Sequence, residues 1–177
     1  MNQHTNQATC EAMNIETDMD LFLWACKGDH DAAHVLKILT DAADTWDNVE
    51  DQDVPATQVE LSRTFTNLMV RLPANPFYQR HRIAIEAIIG IAHANWRAAN
   101  KIERDYEHGI TDKLHVAYII RSSYFDLVTY CAHVIGGPDW AEEVALKARS
   151  MNQHETFRAF VNSLDTEIAA RRAGKEE

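Results

Sequence analysis

The chain has 177 residues, of which 46% are hydrophobic, 25% charged and 8% aromatic, and its net charge is −10. These proportions suit one compact soluble domain with a sizeable core and exclude a disordered chain. The surplus of acid argues against nucleic acid or an anionic membrane as a direct ligand, since each needs a basic face.

The N-terminal stretch MNQHTNQATCEAMN is polar and lacks the basic start and apolar run of a signal peptide. Residues 1–16 read as a flexible tail, as do residues 173–177. Thr17 is placed to cap a first helix carrying Leu21, Phe22, Leu23 and Trp24, with Gly28 at its end. Asp29 can cap a second, in which Ala32, Val35, Leu36, Leu39, Ala42, Ala43 and Trp46 follow helical spacing and form one apolar stripe.

Thr57 and Glu60 make a capping-box pattern just after Pro55. Leu61, Phe65, Leu68, Met69 and Leu72 then supply a third stripe for the core. The segment LPANPFY predicts a loop, because Pro73 and Pro76 both oppose a continuing helix. A long helix is expected over 79–105, with Ile85, Ile88, Ala92, Trp96 and Ala99 on one face. Gly109 ends it and Thr111 can start the next.

Residues 112–135 are apolar nearly all round, which predicts one helix at the centre of a bundle. GGPDW closes it and opens another helix, with Pro138 in a favoured first-turn position. Near Ser150 an S-x-x-Q pattern can recap a last helix bearing Phe157, Phe160, Val161, Leu164 and Ile168. Six Gly and four Pro are few, and no alternating strand pattern competes. The predicted fold is all-α, a single domain over 17–172 with six or seven helices around one core.

One stretch breaks a local rule. TWDNVEDQD holds Asp47, Glu50, Asp51 and Asp53 at the end of a helix, where acid has the wrong sign for the helix dipole, by about 0.3–1 kcal/mol each. From Ile38 to Ser62 there are seven acids and no Lys or Arg. Three readings fit: a solvated acidic end, an ion-pair hub, or a divalent-cation site for Mg²⁺, Mn²⁺ or Ca²⁺. In the last, Asp47, Asp51 and Asp53 supply hard oxygen ligands, joined by Asp126. The spacing matches no EF-hand loop.

Arg121 lies on an apolar face with Tyr124, and an Arg there needs an anion; the acids of Asp47–Asp53 or a ligand phosphate would serve. Ser122, Asp126, Thr129 and His133 form a polar stripe on the same segment. Glu86, Gly90 and His93 share a face of the long helix, which reads first as its solvent face; the alternative is that Gly90 admits close approach of a ligand or another helix. His81 reads as a surface histidine. Cys10, Cys26 and Cys131 have no metal spacing and fit free thiols in a reducing cytoplasm. No P-loop, dinucleotide-binding glycine motif, nucleophile elbow or H-E-x-x-H pattern is present, and no nucleophile stands beside a base. The His30–Asp31 dipeptide lacks the upstream His of the metal-dependent HD phosphohydrolases.

WDNVEDQD, NPFY, RSSYFDLV and GGPDW together resemble an uncharacterised family of small helical proteins of tailed phages and prophages, over roughly residues 20–165. The resemblance touches Trp46, Asp47, Asp51, Asp53, Arg121, Tyr124 and Asp126. The family has two adjacent acids after the Trp, where this chain has Asp47 then Asn48. A looser likeness to the D-D-x-x-D helices of isoprenoid synthases lacks the second acidic helix.

The resemblance implies a phage origin and names no activity. The leading expectation is an acidic accessory protein with a protein partner, in the host cytoplasm. A metal-dependent hydrolase or binding protein for a phosphate-bearing small molecule is the second expectation. In it Asp47, Asp51, Asp53 and Asp126 hold the metal while Arg121 and Tyr124 take the phosphate. An acidic inhibitor of host nucleic-acid-binding machinery is the third.

Overall fold

Side-chain oxygens set the helix starts. Thr17 accepts from the Asp20 amide at 3.2 Å while the Asp20 carboxylate accepts from the Thr17 amide at 3.0 Å. Thr57 and Glu60 repeat the exchange at 3.2 and 2.8 Å. Asp29 accepts from the Ala32 amide at 3.0 Å. Each removes an otherwise orphaned N–H. The structure, a computed structural model, describes residues 15–51, 55–106, 112–151 and 156–173, with Asp51, Met151 and 170–173 by backbone alone.

Eight helices cover the described residues, and no strand occurs among them, so the fold is all-α as expected. They are α1 (Asp18–Ala25), α2 (His30–Asp51), α3, α4 (Pro76–Arg104), α5 (Asp112–Ile120), α6 (Phe125–Gly136), α7 (Pro138–Met151) and α8 (Phe157–Ala173). Helix α3 is composite: Gln58–Thr66 is followed by a π-helical stretch, Asn67–Arg71, and a last turn, Leu72–Ala74. Among the described residues no helix is long and apolar enough to cross a membrane.

LPANPFY departs from the expected loop, because helix occupies all but Asn75. A proline in a helix lacks an N–H and its ring clashes with the carbonyl four residues back. The widened π turns fall directly before Pro73, where that clash arises. Pro76 sits at the first position of α4, where no N–H is needed, and Asn75 caps that helix by accepting from the Tyr78 amide at 3.0 Å.

The single helix expected over 112–135 is two helices, with turns at 121–124 between them. Ser122 and Ser123 sit at the break, and their hydroxyls donate to the carbonyls of Ile119 and Ile120, at 3.0 and 2.7 Å. Hydroxyls that occupy those oxygens compete with the helix ladder. The apolar segment consequently serves two clusters rather than one centre. Leu114 of α5 packs with Tyr106, Phe160, Val161 and Leu164. Phe125, Val128 and Cys131 of α6 pack in the larger core with Phe22, Leu36, Phe77, Ile85 and Val144.

The restart expected at Ser150 does not occur there. Helix α7 runs on through Met151, and α8 begins after Thr156, whose hydroxyl accepts from the Ala159 amide at 3.2 Å. The proposed ends at Gly109 and Thr111 lie outside the described residues, as do Asp53 and Cys10.

The α6–α7 corner explains GGPDW. Gly137 has φ +84°, and a Cβ on Gly136 would lie 2.4 Å from the Trp140 ring. Trp140 in turn donates its indole N–H to the Ala25 carbonyl at the end of α1, at 2.8 Å, and lies 4.9 Å from the Trp24 ring. The two glycines let the chain turn tightly enough for one side chain to tie α7 to α1.

Candidate functional site

Helices α2, α3 and α4 place the acidic stretch. Thr45 and Thr64, each six residues from the intervening connection, meet through their hydroxyls at 3.1 Å. Helix α3 therefore returns alongside α2. Helix α4 then runs parallel to α2 on its other side. The Asn75 amide donates to the Asp31 carbonyl at 3.0 Å, the Trp96 indole to Asp47 at 3.0 Å, and Arg104 pairs with Glu50 at 2.8 Å.

Two of the acids thus have protein partners from distant parts of the chain. Asp47 accepts from an indole that His93 stacks against, and Glu50 has a guanidinium. Asp41 pairs with Lys37 one turn earlier. Asp44 has its pKa raised, first by partial desolvation and then by the charges of Asp18, Asp41 and Asp47, which Lys37 opposes. Asp51 ends α2, and its side chain lies outside the described residues.

The other predicted site residues lie elsewhere. Arg121 is exposed on the α5–α6 turn, with its guanidinium 5.1 Å from the Phe160 ring of α8. Tyr124 rests on Phe125 at 4.2 Å. Asp126 pairs with Arg149 of α7 at 2.5 Å. Thr129 turns its hydroxyl to the Phe125 carbonyl at 3.1 Å, and His133 is exposed, so the polar stripe of α6 faces α7 and solvent. Among the described residues no three His, Cys, Asp or Glu side chains come together to hold a metal.

On α4, Glu86 accepts from Arg82 at 2.7 Å and Tyr78 at 3.0 Å, which lowers its pKa. Gly90 has nothing within 4 Å of where its Cβ would stand, so no close neighbour requires it. His81 is half-buried between Phe77 and Tyr130 rather than on the surface. Cys26 and Cys131 are buried free thiols; their mutual hydrogen bond, with burial added, pushes the Cys131 thiol far up and leaves it a poor nucleophile.

The feature that the sequence pattern misassigns is apolar. Of the third stripe only Leu72 is buried and Leu68 half-buried; Leu61, Phe65 and Met69 are 46%, 66% and 62% exposed. Trp46, expected in the α2 stripe, is 52% exposed, and Val49 is 43% exposed. The reason is topological: α3 packs chiefly on α2, while α4 passes along the far side of α2.

Counting about 100° per residue from the facing threonines brings all five side chains to one side of the antiparallel pair. Trp46 and Val49 form one wall, and Leu61, Phe65 and Met69 the other. Half-buried Ala42 and Leu68 lie between. It is the same side on which Val35 and Leu72 enter the core, so the face continues the core outward into water. On the opposite flank of α3 an open cavity of about 500 Å³ is lined by Val59, Arg63, Asn67 and Arg71 among others. In comparisons with known proteins the chain matches no family profile, and no curated protein sequence or solved structure matches it.

Proposed function

We propose that this protein is a small acidic accessory protein that works by binding another protein, in the host cell of a tailed phage or prophage. One observation carries the interaction reading: the apolar face of Trp46, Val49, Leu61, Phe65 and Met69, spaced as a core stripe and left open to water. Contiguous apolar surface of this kind marks interaction sites on soluble proteins. The phage setting rests on the resemblance of WDNVEDQD, NPFY, RSSYFDLV and GGPDW.

Photo-crosslinking tests the reading. A crosslinking side chain at Phe65 is expected to trap one discrete protein in cells, and the same group at Val59, on the opposite flank of α3, is expected not to. Equal labelling from both positions, or none from Phe65, overturns the proposal.

A further inference from the structure

We propose that the open cavity on the flank of α3 away from the apolar face binds a small molecule through a phosphate-monoester group, held by Arg63 and Arg71. The sequence sets these cations apart. In a chain of net charge −10, residues 61–85 hold four Arg and no acid. The two acids that border the run are committed elsewhere. Glu60 accepts from the Thr57 amide at 2.8 Å, and Glu86 pairs with Arg82 at 2.7 Å. Among the described residues neither Arg63 nor Arg71 makes an ion pair. A guanidinium without a carboxylate keeps its fork of donors for an anion from outside.

The backbone brings the two cations to one side. In an unbroken α-helix Arg71 would lie about 80° around the axis from Arg63. The π-helical stretch Asn67–Arg71 is closed by the Leu72 amide donating to the Asn67 carbonyl. It takes more residues per turn, so each residue turns through less. Arg71 is thereby held over Asn67, and its guanidinium donates to the Asn67 side-chain oxygen at 3.3 Å. Asn67 is only 7% exposed, yet its amide nitrogen makes no hydrogen bond among the described residues and its side chain lines the cavity. Gln58 and Ser62 add an amide and a hydroxyl to the same lining.

A phosphate monoester suits these donors better than a carboxylate. Its three terminal oxygens can take both guanidinium forks and still accept from Asn67 and Ser62, whereas a carboxylate has two oxygens. The volume of about 500 Å³ exceeds what phosphate alone fills, and Val59 offers apolar contact to the rest of the molecule.

Isothermal titration of the full chain at fixed ionic strength tests the site, with phenyl phosphate as the probe and benzoate as the carboxylate control. Phenyl phosphate is expected to bind saturably and at least about tenfold more tightly than benzoate. Arg63→Gln with Arg71→Gln is expected to weaken it by about tenfold or more. Ser62→Asp, which puts a carboxylate into the cavity, should do the same. Arg80→Gln removes an exposed charge of the same run outside the lining and should leave binding unchanged. Far-UV circular dichroism checks that the variants are folded.

Absence of saturable phenyl phosphate binding overturns the proposal. Equal weakening by Arg80→Gln and by the double variant also overturns it, because the effect is then one of overall charge. Benzoate binding as tightly as phenyl phosphate overturns the phosphate ligand. Tighter binding of an unphosphorylated DNA strand of about eight nucleotides, lost in the double variant, makes the ligand a nucleic-acid backbone. That result overturns the small molecule. None of these outcomes alters crosslinking from Phe65, so this proposal and the interaction reading fail separately.

Discussion

Gly136 and Gly90 both lie in helices, yet their surroundings demand opposite things. A methyl group at 136 would sit inside contact distance of the Trp140 ring, which is fixed by its bond to Ala25. Gly136→Ala is therefore expected to cost about 1–3 kcal/mol in urea unfolding. At Gly90 nothing is near, so Gly90→Ala should gain about 0.5–1 kcal/mol by restricting the unfolded chain. Asp44 offers a third residue-scale test. Its folded pKa is raised, so the folded state holds the proton more tightly; that contribution is present at low pH and is lost as pH rises through the ordinary carboxylate value towards the folded one. Asp44→Asn should thus raise stability near neutral pH, by under about 1 kcal/mol for so exposed a group, read as a higher melting temperature. The gain should vanish in acid.

Among the elements, the caps carry a pH dependence of the other sign. Hydrogen bonds from Thr17 and Thr57 lower the pKa values of Asp20 and Glu60. Their contribution is full above the ordinary carboxylate range and is lost as pH falls through the lowered folded values. Melting curves of Asp20→Asn and Glu60→Gln are expected to lie below the parent at neutral pH and to merge with it in acid. At the α5–α6 turn, Ser123→Ala should cost about 1–3 kcal/mol, because the Asn95 amide loses its acceptor at 3.0 Å. The caps at Thr17, Asp29 and Thr57 were legible in the sequence because a cap is a contact over three residues. The break at 121–124 was not, because hydropathy sees only apolar neighbours and not where two serine hydroxyls turn. Nor was the environment of the acids: Trp96 and Arg104 reach Asp47 and Glu50 from 49 and 54 residues away. Periodicity marked Leu61, Phe65 and Met69 as one stripe correctly; what covers a stripe is a matter of chain path, on which spacing is silent.

For the whole molecule, the division between core and open face predicts two very different responses along α3. Leu72→Ala should destabilise by about 2–5 kcal/mol, since Leu72 is buried in the main cluster. Phe65→Gln should change stability by no more than about 0.5 kcal/mol. Mg²⁺, Mn²⁺ or Ca²⁺ is expected to leave the melting temperature unchanged, because Asp47 and Asp126 are engaged with Trp96 and Arg149 on different helices. A specific site filled at 100 times its dissociation constant would instead add about 2.7 kcal/mol and would revive the metal reading of Asp47, Asp51, Asp53 and Asp126. The indole pair that joins α1 to α7 has an optical consequence. Trp24 and Trp140 lie 4.9 Å apart at 59°, close enough and skewed enough for their excited states to mix. That mixing would give a paired band of opposite signs in circular dichroism. Its loss on heating would time the parting of these two helices separately from the melting of the backbone around them.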